Sequence, residues 1–95
     1  MKIRFTVDAI HDLERLRAFV ESNNPHAARR IAAEILDGIE NLAVFPELGL
    51  PVSRAPDPKV IRDLYIGNYT ARYLRERKSI IILRIWHGKE SEKDS

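Results

Sequence analysis

Between residues 62 and 87 the chain places Arg62, Arg72, Arg75, Arg77 and Arg84, and it closes that stretch with His87. These residue types suit the handling of phosphodiesters. An arginine fork matches the geometry of a phosphate, and a histidine moves a proton near neutral pH. RNA cleavage without a metal needs little more: a base for the 2′-hydroxyl, an acid for the leaving group and cations for the phosphorane charge. The same set also serves to bind an acidic protein or a nucleic acid with no chemistry at all. Composition alone leaves both readings open.

Other chemistries find little support. The absence of cysteine excludes disulfides, thiol catalysis and thiolate metal sites, and it fits a reducing compartment. His11, His26 and His87 form no HExxH pair and stand beside no Asp/Glu ladder, so no metal is expected. Neither a GxGxxG nor a GxxxxGKS loop is present, and no cofactor is implied. The start of the chain, MKIRFTVDAI, lacks the apolar stretch of a secretory leader. No run approaches the ~18 apolar residues of a membrane helix, so a cytoplasmic protein is expected.

The 95 residues make one domain, spanning residues 1–90, with a polar tail at 91–95. Net charge is +2, but it is unevenly placed. Residues 59–89 carry Lys59, Arg62, Arg72, Arg75, Arg77, Lys78, Arg84 and Lys89 against only Asp63 and Glu76. Such asymmetry points to an anionic partner, and the plainer alternative is a solvated basic face.

Those residues must be positioned by elements read from periodicity. KIRFTV (2–7) alternates as a half-buried strand, and Asp8 is placed to cap the helix that follows. Ala9, Leu13, Leu16 and Val20 form one helical face. Asn24 caps a second helix with Pro25 in its first turn. The stripe of that helix is Ala28, Ile31, Ile35, Leu36, Ile39, Leu42 and Ala43, and Pro46 ends it. The two helices form an antiparallel hairpin. A proline-rich loop covers 46–58. Three strands follow: Lys59 to Ile66, Tyr69 to Glu76 after a Gly67-Asn68 turn, and Ser79 to His87.

A single helical hairpin covers one face of a sheet. Alternation along the last strand assigns Ile81, Leu83 and Ile85 to the helices, and Ile80, Ile82, Arg84 and Trp86 to the open face. Leu74 and Arg72 join that open face, while Arg62 has no settled side. Apolar residues left uncovered there mark an interaction surface and make the lone chain sticky. In the plainer alternative, Trp86 and His87 finish the core and Arg84 pairs with Glu76.

Several stretches, taken in order, resemble the RelE/ParE toxins of type II toxin–antitoxin modules, the plasmid stabilisation family. Residues 9–49, AIHDLERLRAFVESNNPHAARRIAAEILDGIENLAVFPELG, look like the helical hairpin, with its Asn-Pro junction and closing Phe-Pro-x-x-Gly. IRDL (61–64) looks like the Arg-x-Leu strand, Tyr73 like the aromatic of the middle strand, and IIILRIWHGKE (80–90) like the final strand with its terminal His. The resemblance implies an α+β, βααβββ fold, with a helical hairpin on one face of a mostly antiparallel four-stranded sheet. It implies a growth-inhibiting toxin neutralised by a cognate antitoxin in a hetero-oligomer, with Leu74, Ile80, Ile82 and Trp86 as antitoxin-binding residues.

The family has two branches. In the RelE-like branch, ribosome-dependent mRNA endonucleases, Arg62, Arg84 and His87 would be catalytic. In the ParE-like branch, DNA gyrase poisons, catalysis falls away. Arg72, Arg75, Arg77, Lys78 and Lys89 are the residues for a target or nucleic acid. Gly88-Lys89-Glu90 after His87 departs from the nucleases, which often carry a tyrosine near the C-terminus. The full-length hairpin and short tail look more like the gyrase branch. A non-toxic protein-binding module is a further alternative, as is a free-standing RNA-binding domain, although the open face offers only Trp86 for stacking bases.

Overall fold

The computed structural model describes residues 1–57 and 60–90. Strand β1 (Lys2–Phe5) is followed by helices α1 (Val7–Glu21) and α2 (Pro25–Glu40). Then come strands β2 (Leu50–Pro51), β3 (Ile61–Ile66), β4 (Tyr69–Arg75) and β5 (Ser79–His87). The sheet order is β1-β5-β4-β3-β2, with β1 parallel to β5 and every other pair antiparallel. The fold is therefore α+β as expected, with five strands rather than four. The additional strand, β2, is two residues long and lies at an edge, where its proline removes no needed donor. It is too short to show a period, so the sequence reads it as loop.

Local chemistry explains the helix ends. Thr6, not Asp8, caps α1: its Oγ1 accepts from the Ala9 amide at 3.0 Å. Thr6 also donates to the Leu83 carbonyl at 2.8 Å, which ties the cap to β5 and ends β1 two residues early. Asn24 caps α2 as read, accepting from the Ala27 amide at 3.1 Å, with Pro25 at the first position. Helix α2 stops at Glu40 and tightens into a 3-10 turn at Asn41–Ala43, ahead of Pro46. Gly67 turns β3 into β4 at φ 58°, the left-handed value that a two-residue hairpin takes at its first position.

The core lies between the hairpin and the sheet. Ala9 and Leu16 of α1, Ile35 and Ile39 of α2, and Leu42 meet Leu64, Ala71, Tyr73, Ile80, Ile82 and Ile85. This corrects the assignment of faces on β5. Ile80 and Ile82 are 0% exposed, and they pack under the helices instead of standing on the open side. The cause is a β-bulge. Arg72 pairs with Arg84 and Tyr73 with Ile82, which leaves Leu83 opposite no residue. One extra residue reverses the phase of the strand. Ile80, Ile82 and Ile85 thus share a face, and Ile81 is half-buried on the other. Leu74, which pairs with Ile81, is half-buried there too. The expectation of a sticky chain therefore loses its two isoleucines. Lys59 and the tail at 91–95 lie outside the described residues.

Candidate functional site

The basic residues fall into four separate groups. The first is built around Asp12. Its carboxylate sits in the apolar stripe of α1 and reaches the edge of β5 just beyond the end of β1. Arg84 grips it with Nε at 2.8 Å and Nη2 at 3.0 Å, and the Ile85 amide donates at 2.9 Å. Arg15 adds a longer contact at 3.3 Å and also pairs with Glu90. Burial pushes the Asp12 pKa up. The hydrogen bonds from Arg84, Ile85 and Arg15 outweigh it and hold the carboxyl below its usual range. Arg84 thus pairs with Asp12, not Glu76.

The second group fills the open face. Arg72 forks onto Asp63 of the neighbouring strand at 2.8 and 2.9 Å. Its guanidinium lies 5.1 Å from the centre of the Trp86 ring. Trp86 is only 6% exposed, so the open side is a packed polar-aromatic layer and not a bare apolar patch.

His87 belongs to a third group at the far end of the strands. Its ring meets Tyr69 edge-on, with centroids 5.1 Å apart. Its Nδ1 accepts from the Lys89 amide at 3.0 Å, and its own amide donates to Glu90 at 2.9 Å. Lys89 itself is exposed.

The fourth group surrounds Tyr73, whose buried hydroxyl fixes the loop after α2. It donates to the Pro46 carbonyl at 2.8 Å and accepts from the Gly49 amide at 3.0 Å. Burial pushes the phenol pKa up against that Gly49 bond. Arg62 donates to the Gly49 carbonyl at 2.8 Å. Gly49 has no room for a side chain: a Cβ there would lie 2.7 Å from the Tyr73 ring and 2.8 Å from the Asp63 carbonyl. Arg75 lines the rim of this group, with Glu47 4.0 Å away. Arg77 and Lys78 are exposed in the turn that follows β4.

The three residues a nuclease would need do not converge. Arg62 pairs with Tyr73 and His87 with Tyr69, so they stand four residues apart along β4. That is about 13 Å in the strand direction alone. Arg84 is turned away to Asp12. Among the described residues no cluster of three His, Asp or Glu side chains could hold a metal. The carboxylates that organise the arginines, Asp12, Asp63 and Glu47, were not singled out from the sequence. Asp12 did leave a signal, as the one acid within the apolar stripe of α1. Asp63 left a fainter one, as an acid inside a basic strand.

Residues 3–92 match the ParE toxin of type II toxin–antitoxin systems, parDE. The chain belongs to that family. A curated relative, Y4kP of Sinorhizobium fredii (strain NBRC 101917 / NGR234), is provisionally designated a toxin. It is 36% identical over 91 residues, spanning 94% of this chain and 90% of the relative. The chromosomal ParDE system of P. aeruginosa includes a chain of the same fold, with TM-score 0.77, 23% identity and coverage of 92% and 95% of the two chains. The toxin–antitoxin complex RelBE2 of Mycobacterium tuberculosis is also similar, with TM-score 0.68, 26% identity and coverage of 90% and 95%. This ParE-family toxin thus has the architecture of both branches. Among the described residues no helix is long and apolar enough to cross a membrane.

Proposed function

We propose that this ParE-family toxin arrests growth by poisoning DNA gyrase, without cutting RNA, and that a cognate antitoxin neutralises it in a hetero-oligomer. One observation carries the reading: Arg62, Arg84 and His87 lie in three separate groups, each held by partners of its own. Phosphodiester cleavage needs its acid, base and cations around one phosphate. A toxin that works by gripping a protein has no such need. The family match to the toxin of parDE supports the same branch. The antitoxin partner is supported by the likeness to chains of the ParDE system and the RelBE2 complex.

A second reading, a RelE-like mRNA endonuclease, is favoured by the RelBE2 likeness and by His87 standing beside Tyr69 and Lys89 in one groove. One pair of reactions separates them. Purified gyrase is incubated with plasmid DNA and this toxin, and ribosomes translating a defined mRNA are incubated with the toxin in parallel. Loss of supercoiling with cleaved DNA trapped on gyrase, and intact mRNA, is expected. Intact gyrase activity with cut mRNA would contradict the proposal.

A further inference from the structure

Outside the four groups, one corner of the molecule gathers cations that have no counter-charge. Lys2 and Arg4 of β1 are exposed, and they point away from the helices, because the alternate residues Ile3 and Phe5 pack on the core. Arg77 and Lys78 are exposed in the turn that leads into β5. Strand pairing brings the two sets together. Lys2 lies opposite Ser79 and Arg4 opposite Ile81, and the Lys2 amide donates to the Lys78 carbonyl at 3.3 Å. Among the described residues none of these four makes an ion pair. Arg15, Arg30, Arg72, Arg75 and Arg84, by contrast, each face a carboxylate. Arg29 and Lys89 are unpaired as well, but they stand singly, on α2 and just beyond β5. Glu76, the acid nearest the corner in sequence, accepts from the Ser79 hydroxyl at 3.1 Å. Unopposed cations this close together sum into a local positive potential that an anionic partner relieves.

The make-up of the corner selects the kind of partner. A protein is gripped through apolar and aromatic anchors, and lysine is depleted at such interfaces. The exposed side chains here are lysine and arginine, the types that contact a phosphate backbone. A single strand of nucleic acid needs aromatic faces on which to stack its bases. The exposed aromatics lie elsewhere: Phe19 on α1, Phe45 in the loop after α2, and Tyr65 at the opposite end of the sheet. The backbone of a duplex is what remains. From Arg4 to Lys78 the strip runs about 10 Å along the strands. Over that length a DNA duplex presents about six phosphates.

We infer that Lys2, Arg4, Arg77 and Lys78 hold the phosphate backbone of duplex DNA, the substrate of the enzyme this toxin poisons. The inference deepens the proposed function: the corner calls for a duplex, and the choice of DNA rests on that reading.

The test uses the full chain and a short fluorescent DNA duplex of mixed sequence, with anisotropy read from ~50 to ~200 mM salt. Lys2→Gln/Arg4→Gln and Arg77→Gln/Lys78→Gln are made separately and together, and the separate pairs serve if the fourfold variant fails to fold. Arg29→Gln/Lys89→Gln, which removes the two isolated cations, is the control. The wild type should bind the duplex more tightly than a single-stranded RNA of the same length. Each corner pair should lower the salt slope of the binding constant by about 2, at about 0.9 per phosphate contact, and the fourfold variant should bind about tenfold or more weakly at the lowest salt. The control should keep the wild-type slope, and all variants should keep the wild-type melting temperature. A wild type that does not bind the duplex, or corner variants that bind it as tightly as the wild type, overturns the inference. A control that loses as much as a corner pair overturns it by spreading the attraction over the whole surface. Tighter binding of the RNA overturns it in favour of a single strand. Loss of antitoxin capture by corner variants that still bind DNA gives the corner to a protein and overturns it too. Gyrase supercoiling is read in parallel. Wild type that binds DNA through this corner but leaves gyrase active fails the proposed function and leaves the DNA contact standing. Gyrase poisoned by a fourfold variant that still binds DNA keeps the proposed function and sinks the inference alone.

Discussion

Asp12 shows how one side chain can fix the geometry of an entire edge. Its carboxylate satisfies the Ile85 amide and the Arg84 guanidinium where β1 no longer pairs with β5. Asp12→Asn keeps one acceptor for the amide but leaves Arg84 without its counter-charge. The expected cost is about 2–3 kcal/mol, or roughly 10–20 °C in melting temperature for a domain of this size. Because the folded pKa of Asp12 is lowered, its contribution is complete above the unfolded value of about 3.9 and is lost as pH falls through the folded value. The stability gap between wild type and Asp12→Asn should therefore narrow below about pH 4, measured by urea unfolding across pH. Tyr73→Phe is a second test at this scale. Losing the hydroxyl should cost about 1–2 kcal/mol and speed hydrogen exchange at the Gly49 amide. Asp12 was legible as an acid in an apolar stripe, whereas its partner was not. Arg84 is 72 residues away, and no local pattern joins the two. The partner that the sequence offers for Arg84, in the plainer alternative, is the nearer Glu76.

At the scale of elements, what the sequence revealed was the part written in local chemistry. The Asn24-Pro25 cap, the Gly67 turn and most of the helical stripes follow from neighbouring residues and are present in the structure, although Leu36 of the second stripe is 42% exposed and Leu42 and Ala43 lie in the 3-10 turn after α2. The bulge at Leu83 has no such signature. Ile80 to Ile85 reads as an unbroken strand, and only pairing with β4 reveals that one residue is in excess. The two faces of β5 were therefore exchanged over its first half. Truncations test the bulge. Ile82→Ala, emptying a fully buried site, should cost about 3–4 kcal/mol, and Leu83→Ala about 1 kcal/mol, measured by chemical unfolding. Equal costs would place Leu83 in the core and contradict the assigned phase. The loop after α2 was equally hard to read, because Val44, Phe45 and Leu48 follow no period. Its rigidity depends on close approach: Gly49→Ala should cost about 1–3 kcal/mol from overlap with the Tyr73 ring.

For the whole molecule, the order of motifs along nearly the full chain identified the family before any fold was seen. Each motif is loose, but the joint order is restrictive, and the matched span of residues 3–92 agrees with it. What the order could not carry is the choice of target, since chains of a ParDE system and of the RelBE2 complex both share this scaffold. Convergence is a property of the folded molecule. Here the arginines are dispersed: one is fastened to α1, one to β3, one to the loop after α2, and one lines an apolar groove. That dispersal fits a toxin that acts by holding a protein. The measurement that tests it most directly is pulse labelling in the first minutes after the chain is induced without its antitoxin. An early fall in thymidine incorporation while amino-acid incorporation continues is expected. An immediate fall in amino-acid incorporation, abolished by His87→Ala, would contradict it and return His87 to a catalytic role.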